Sequence, residues 1–78
     1  MQKVIIYGTA WCPWCVRAKN FMEQNSIPFE WKDADQQENA DEAFRKSRQT
    51  GIPVLDMEGT ILVGFDVERV RKLLETKK

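Results

Sequence analysis

Cys12 and Cys15 are the residues of this 78-residue chain whose type and spacing could do covalent chemistry, and they are its only cysteines. A disulfide needs Cα atoms roughly 4.4 to 6.8 Å apart, a window that two residues three apart in a first helical turn satisfy. The pair can therefore cycle between dithiol and disulfide with little backbone movement. A bridge over so short a loop hardly restricts the unfolded chain, so the pair is there to react and not to staple. Pro13 suits the first helical position, where a missing N–H costs nothing and the fixed φ is already helical, which puts Cys12 at the N-cap. A sulfur at that place faces unpaired backbone N–H groups and the positive end of the helix dipole, both favouring a thiolate. Cys12 is the expected nucleophile. Cys15, one turn further in and less exposed, is expected to attack the mixed disulfide and release the reduced target as the resolving thiol.

C-x-x-C also occurs in metal sites. A closed zinc site needs four ligands, and two cysteines without a histidine cannot complete one in a single chain. A metal or iron-sulfur cluster bridged between two chains stays open as a reading, with the stiffening and lost backbone donor at Pro13 counting against it. No bound cofactor is expected. A metal-carrier module would also set C-x-x-C between a first strand and a first helix. Such carriers follow a β-α-β-β-α-β order and usually have Met two residues before the first cysteine, where this chain has Ala10. A third reading is an interaction module whose dithiol is incidental.

The elements that position the pair follow from periodicity. The apolar, β-branched run from Lys3 to Tyr7 predicts a central strand buried on both faces. Cys15, Ala18, Phe21 and Met22 recur at helical spacing and predict a first helix that fades at 24–26, before Pro28. Phe29 to Lys32 alternates apolar with charged residues, as an edge strand would. Strand, helix and strand then form a β-α-β unit with a right-handed crossover and parallel strands, the setting in which C-x-x-C reads as a redox motif. Ala40, Ala43, Phe44 and Ser47 predict a second helix from about Gln37 to Gln49, with Asp35 as its cap, Phe44 in the core and Gly51 as its stop. Val54 to Met57 and Thr60 to Gly64 flank a two-residue Glu58-Gly59 hairpin turn. Asp66 caps a last helix with Val67, Val70, Leu73 and Leu74 on its apolar face and Lys77-Lys78 at its carboxyl end. The predicted architecture is an α/β fold of order β-α-β-α-β-β-α, in a single domain over residues 1–78.

Composition narrows the function. Twelve basic and twelve acidic residues cancel, with no Lys/Arg-rich block, so the electrostatic footprint of a nucleic-acid binder is missing. Apolar runs fall short of the roughly 18 residues a membrane span needs, and the N-terminus is unlike a signal peptide. A soluble, cytoplasmic monomer is expected. Trp11 and Trp14 flank the nucleophile, and Trp14 is expected to offer a flat face to a partner. Arg17, Lys46 and Arg48 are candidates for a basic rim beside Cys12.

Three segments together carry a resemblance. Tyr7 to Cys15, Thr50-Gly51-Ile52-Pro53-Val54, and Val63-Gly64-Phe65-Asp66 resemble, in the same order, the functional segments of glutaredoxins and glutaredoxin-like redoxins. The match spans nearly the whole chain. The resemblance implies a thioredoxin-type fold with a four-stranded mixed sheet of order 2-1-3-4 flanked by three helices, and a cis bond before Pro53. It further implies a substrate groove made by the three segments, with Trp11, Pro13, Trp14, Ile52, Pro53, Gly64, Phe65 and Asp66 in contact with the substrate, and Arg48 of the basic rim is a further substrate-binding candidate. There the backbone of Ile52 would pair with a bound thiol peptide, and Gly64, Phe65 and Asp66 would hold its far end. The implied activity is reduction of protein or mixed disulfides, with re-reduction by a low-molecular-weight thiol. Glutathione comes first, and a smaller anionic thiol such as coenzyme M follows. The alternative is a redoxin served by thioredoxin reductase that passes electrons to an enzyme such as ribonucleotide reductase.

Two positions depart from the family pattern. Many glutathione-using members carry Lys three residues before the first motif cysteine and a Gly-Gly pair in the third segment, where this chain has Thr9 and Val63-Gly64. Thr9 cannot form the exposed ion pair that a Lys would offer the glycine carboxylate of glutathione, which is worth up to about fivefold in affinity. Trp11 before Cys12 is reminiscent of thioredoxins, but the acid that those proteins bury six positions before the nucleophile is here Ile6.

Overall fold

The run of β-branched residues after the N-terminus becomes β1 (Val4–Gly8), and the strict alternation of its side chains decides what packs on each side of it. The computed structural model describes residues 4–76. Lys3, Lys77 and Lys78, which the sequence assigned to the first strand and to the end of the last helix, lie outside the described residues. The remaining elements are α1 (Pro13–Gln24), β2 (Phe29–Asp33), α2 (Gln37–Ser47), β3 (Val54–Met57), β4 (Thr60–Val63) and α3 (Val67–Thr76), in the predicted order.

The sheet order is β2-β1-β3-β4. β1 and β2 are parallel, with Val4 opposite Phe29. β1 and β3 are antiparallel, with Val4 opposite Met57. β3 and β4 are also antiparallel, with Val54 opposite Val63. The Glu58-Gly59 turn that joins the latter two has positive φ at both residues, 54° and 95°, the backbone twist that a two-residue hairpin favours.

Val4 and Ile6 point to one face and pack with Ala18 and Met22 of α1, Leu55, Met57, Leu62 and Val70 of α3. This is the main core, in which each fully buried side chain of the size of Ile6, Met22 or Leu55 contributes about 1.5–3 kcal/mol. Tyr7 points to the opposite face, where it packs with Val54 and with Ala43, the buried residue of α2. That second layer is thin and partly polar. The Tyr7 hydroxyl donates to Glu42, which also accepts from Lys32 at 2.9 Å. Lys46 donates to the Tyr7 hydroxyl and to Asp56, both at 2.7 Å.

Three expectations for α2 are corrected. Phe44 is 50% exposed and not in the core, because Ala43, the smaller neighbour, is the residue turned onto the sheet. The N-cap is Gln36 and not Asp35, which sits one residue too early, in the turn where its own N–H donates to Asp33 at 2.9 Å. The helix ends at Ser47 and not Gln49, and its stop is Arg48, in the left-handed region at φ 63°, and not Gly51. Ser47 and Gln49 supply the competing partners. The Ser47 hydroxyl reaches the Ala43 carbonyl at 2.7 Å, and the Gln49 amide brackets Gly51, accepting from its N–H at 2.6 Å and donating to its carbonyl at 2.9 Å.

Candidate active site

Cys12 caps α1 with extended backbone, φ −93° and ψ 114°, and Pro13 follows at the first helical position. Its carbonyl receives the first helical bond, from the Val16 N–H at 3.0 Å, and its own N–H donates to the Thr9 carbonyl at 3.3 Å. The Cys12 sulfur accepts the Cys15 backbone N–H at 3.4 Å. A group that would carry negative charge as a thiolate is thus placed on an otherwise orphan helix donor. Both thiols are free. Cys12 is 9% exposed and Cys15 fully buried, in the relative order expected.

Burial pushes the Cys15 thiol up to about 12, and the hydrogen bond that it makes with Cys12 works in the same direction, against a backbone contact from Thr9. Cys15 is hemmed in by Gly8, where an added Cβ would lie 2.7 Å from its sulfur. That contact was not read from the sequence. A glycine closing a strand directly before the turn that leads to Cys12 is the signal that could have shown it.

The other two segments come together with the first. The Ile52-Pro53 bond is cis. The Pro53 carbonyl accepts the Gly64 N–H at 2.8 Å, and this joins the second segment to the third. Phe65 packs its ring against Phe21 at 5.7 Å between centroids. Asp66 caps α3, accepting the Glu68 N–H at 3.1 Å, as the sequence indicated. The first and second segments share a cavity of about 410 Å³, whose walls include Thr9, Trp11, Asp35, Asp41, Phe44 and Ile52.

Trp11 is the more exposed indole, at 70%, and its N–H donates to Asp35 at 3.0 Å. One face of Trp14 is covered by the Arg17 guanidinium, 4.7 Å from the ring centroid. Arg48 is an exposed helix cap that does not line the cavity. The basic rim is corrected at Lys46, which is committed to Tyr7 and Asp56 behind the sheet, where the polar tip of Tyr7 needs a partner. Sequence reasoning passed over Asp35, Asp41 and Phe44 as site residues. Their spacing is that of an ordinary amphipathic helix entry, and only the fold shows that they face the Cys12 loop. Among the described residues no group of three or more cysteine or acidic side chains is disposed to hold a metal ion.

The glutaredoxin family model matches residues 4–62. A glutaredoxin-like 8.6 kDa protein in a rubredoxin operon of Clostridium pasteurianum is 37% identical over 90% of this chain and 95% of its own length. A glutaredoxin of Pseudomonas aeruginosa is 36% identical over 94% of this chain and 93% of its own. The structure of the glutaredoxin-like NrdH-redoxin of Escherichia coli, described as having a thioredoxin-like activity profile, superimposes with a TM-score of 0.78 at 27% identity over 91% of this chain and 93% of that one. The extent of the family match, the two relatives and the order of strands and helices agree, and this chain belongs to the glutaredoxin family of thiol-disulfide oxidoreductases.

Proposed function

We propose that this chain reduces disulfides in protein substrates by dithiol exchange, with Cys12 as nucleophile and Cys15 as resolving thiol. The observation that carries the reading is the Cys12 sulfur held on the Cys15 N–H at the start of α1, with the Cys15 thiol buried one turn behind it. The Cys12 thiolate attacks one sulfur of the substrate disulfide. A mixed disulfide forms, and the other substrate sulfur leaves as a thiolate and takes up a proton. Cys15 then gives up its proton and attacks the Cys12 sulfur, expelling the second substrate thiol and leaving a Cys12–Cys15 disulfide. Two electrons have passed to the substrate. Two thiols of a donor return them and become a disulfide in turn. In the substrate complex, the backbone beside the cis Ile52-Pro53 bond would pair with an extended segment as a short added strand.

The donor has two readings. A small thiol, glutathione or a shorter anionic one such as coenzyme M, follows from the family. A flavoprotein such as thioredoxin reductase is favoured by one observation: among the described residues no cation lines the cavity between Trp11 and Ile52, while Asp35 and Asp41 do. The thioredoxin-like activity profile of the NrdH-redoxin relative supports the same choice.

Cysteine variants test the mechanism and donors test the coupling. Cys12→Ser is expected to abolish all exchange. Cys15→Ser is expected to lose reduction of insulin but still to deglutathionylate a mixed disulfide. Equal loss of both activities in the two variants would remove the assigned roles. Wild-type turnover with glutathione, with coenzyme M, and with thioredoxin reductase plus NADPH then separates the donors. Turnover on the reductase alone excludes the small-thiol reading.

A further inference from the structure

We propose that the cavity beside Trp11 is a specificity pocket for a lysine or arginine side chain carried by the substrate segment next to its disulfide cysteine, a reading that rests on the dithiol function above. The cavity lies at the right place. Trp11 precedes the nucleophile in sequence, and Ile52, whose backbone would pair with the substrate, lines the same cavity. Its volume of about 410 Å³ is within the range of ligand sites, about 300 to 1,000 Å³.

The chemistry of the walls selects the occupant. Trp11 and Phe44, 70% and 50% exposed, offer aromatic surface that no other part of the described chain covers to completion. Asp35 and Asp41 bring two carboxylates. Their hydrogen-bond donors are neutral, the Trp11 indole at 3.0 Å and the Gln37 amide at 2.8 Å. Among the described residues neither has a cation within 4.0 Å, since the ion pairs there are confined to Lys32, Lys46, Glu42 and Asp56. Thr9, also in the wall and only 1% exposed, has a side-chain hydroxyl that is buried without a partner. A long aliphatic stem ending in a cation answers all three features. The stem lies along the aromatic surface, the head meets the carboxylates and can interact with the indole face, and a donor is supplied to a hydroxyl that lacks one. An anionic group in the same place would meet two uncompensated negative charges.

The test uses short peptides whose single cysteine is capped as a methyl disulfide, with lysine, norleucine or glutamate placed within two residues on either side. Binding to the Cys12→Ser protein is followed through the Trp11 indole N–H resonance, which needs no turnover. The lysine peptide is expected to shift that resonance and to bind about tenfold more tightly than the glutamate peptide at low salt. The preference should shrink in 0.5 M salt and fall to about twofold or less in the folded double variant Asp35→Asn/Asp41→Asn, with the norleucine peptide in between. A silent Trp11 resonance, or equal binding of lysine and glutamate peptides, overturns the pocket. Reduction of bis(2-hydroxyethyl) disulfide by the wild-type protein is the parallel control. If the lysine preference holds and this neutral disulfide is not reduced, the pocket stands and the dithiol function fails.

Discussion

Gly8 and Cys15 touch with no room between them, because a Cβ at position 8 would lie 2.7 Å from the Cys15 sulfur and 2.8 Å from its Cβ. The end of β1 therefore sets how close the first turn of α1 can come. Gly8→Ala is predicted to destabilise the protein by about 1–3 kcal/mol through overpacking. It should also displace Cys15 and raise its alkylation by iodoacetamide relative to wild type. Urea unfolding and mass spectrometry of the alkylated chain report the two effects. Wild-type values for both would show that the contact carries no constraint.

Burial and its bond to Cys12 raise the Cys15 thiol to about 12. The folded state thus holds this proton more tightly than the unfolded state does, so the associated stability is present below about 9 and is lost as pH rises towards 12. Reduced protein should lose melting temperature more steeply over that range than Cys15→Ala, whose other alkaline groups are the same. Parallel slopes would contradict the shift. Near neutral pH, iodoacetamide should label Cys12 and leave Cys15 untouched.

Lys46 joins the Tyr7 hydroxyl of β1 to Asp56 of β3 from its place on α2. Lys46→Met is predicted to cost about 1–3 kcal/mol, since it leaves the Tyr7 and Asp56 oxygens short of a partner, while the reaction of Cys12 with bis(2-hydroxyethyl) disulfide stays close to wild type. Acid should act on the same cluster. The Tyr7 hydroxyl and then the Lys32 ammonium hold the Glu42 carboxyl below its ordinary value. Burial opposes ionisation of Asp56, but Lys46 and the Gly59 N–H outweigh it. Both carboxyl groups bind protons less tightly when folded, so their contribution is present above pH of about 4 and is lost as pH falls below it. A Lys46→Met protein whose acid denaturation midpoint matches wild type would show that the Asp56 pair contributes nothing.

Asp66 caps α3 and also belongs to the segment expected to hold a substrate. The two roles part under substitution. Asp66→Ala should lose about 0.5–2 kcal/mol of stability, and Asp66→Asn almost none, since asparagine caps as well as aspartate. If the negative charge also serves a substrate, Asp66→Asn raises KM at wild-type stability. Unchanged KM in Asp66→Asn assigns the residue to the cap alone.

Much of this architecture was legible because one residue type dominated each decision. The β-branched run at Val4–Ile6 and the Pro13 start of α1 leave little choice, and Glu58-Gly59 can only turn. The placement of the cysteine pair was legible for the same reason: Cys12 at the N-cap and Cys15 one turn on depend on local spacing alone. What escaped were relationships across elements. Lys46 looks on its helix like any solvated lysine until β1 brings the Tyr7 hydroxyl beneath it. Phe44 shares a stripe with Ala40 and Ala43, and periodicity does not tell which of the three meets the sheet. Arg48 takes a backbone conformation usually left to glycine, in a segment where side-chain bonds from Ser47 and Gln49 decide the ending.

The thin second layer gives the molecule an uneven resistance to opening. On the main core side, α1 is anchored by three buried side chains, Cys15, Ala18 and Met22, while α2 buries Ala43 and otherwise leans on ions that salt weakens. In hydrogen-exchange terms α2 then lifts from the sheet more readily than α1, and its amides should trade with solvent well before those of α1. Since α2 also carries Asp41 and Phe44, one wall of the cavity beside Trp11 is built from a helix that costs less to move than the one bearing the cysteines.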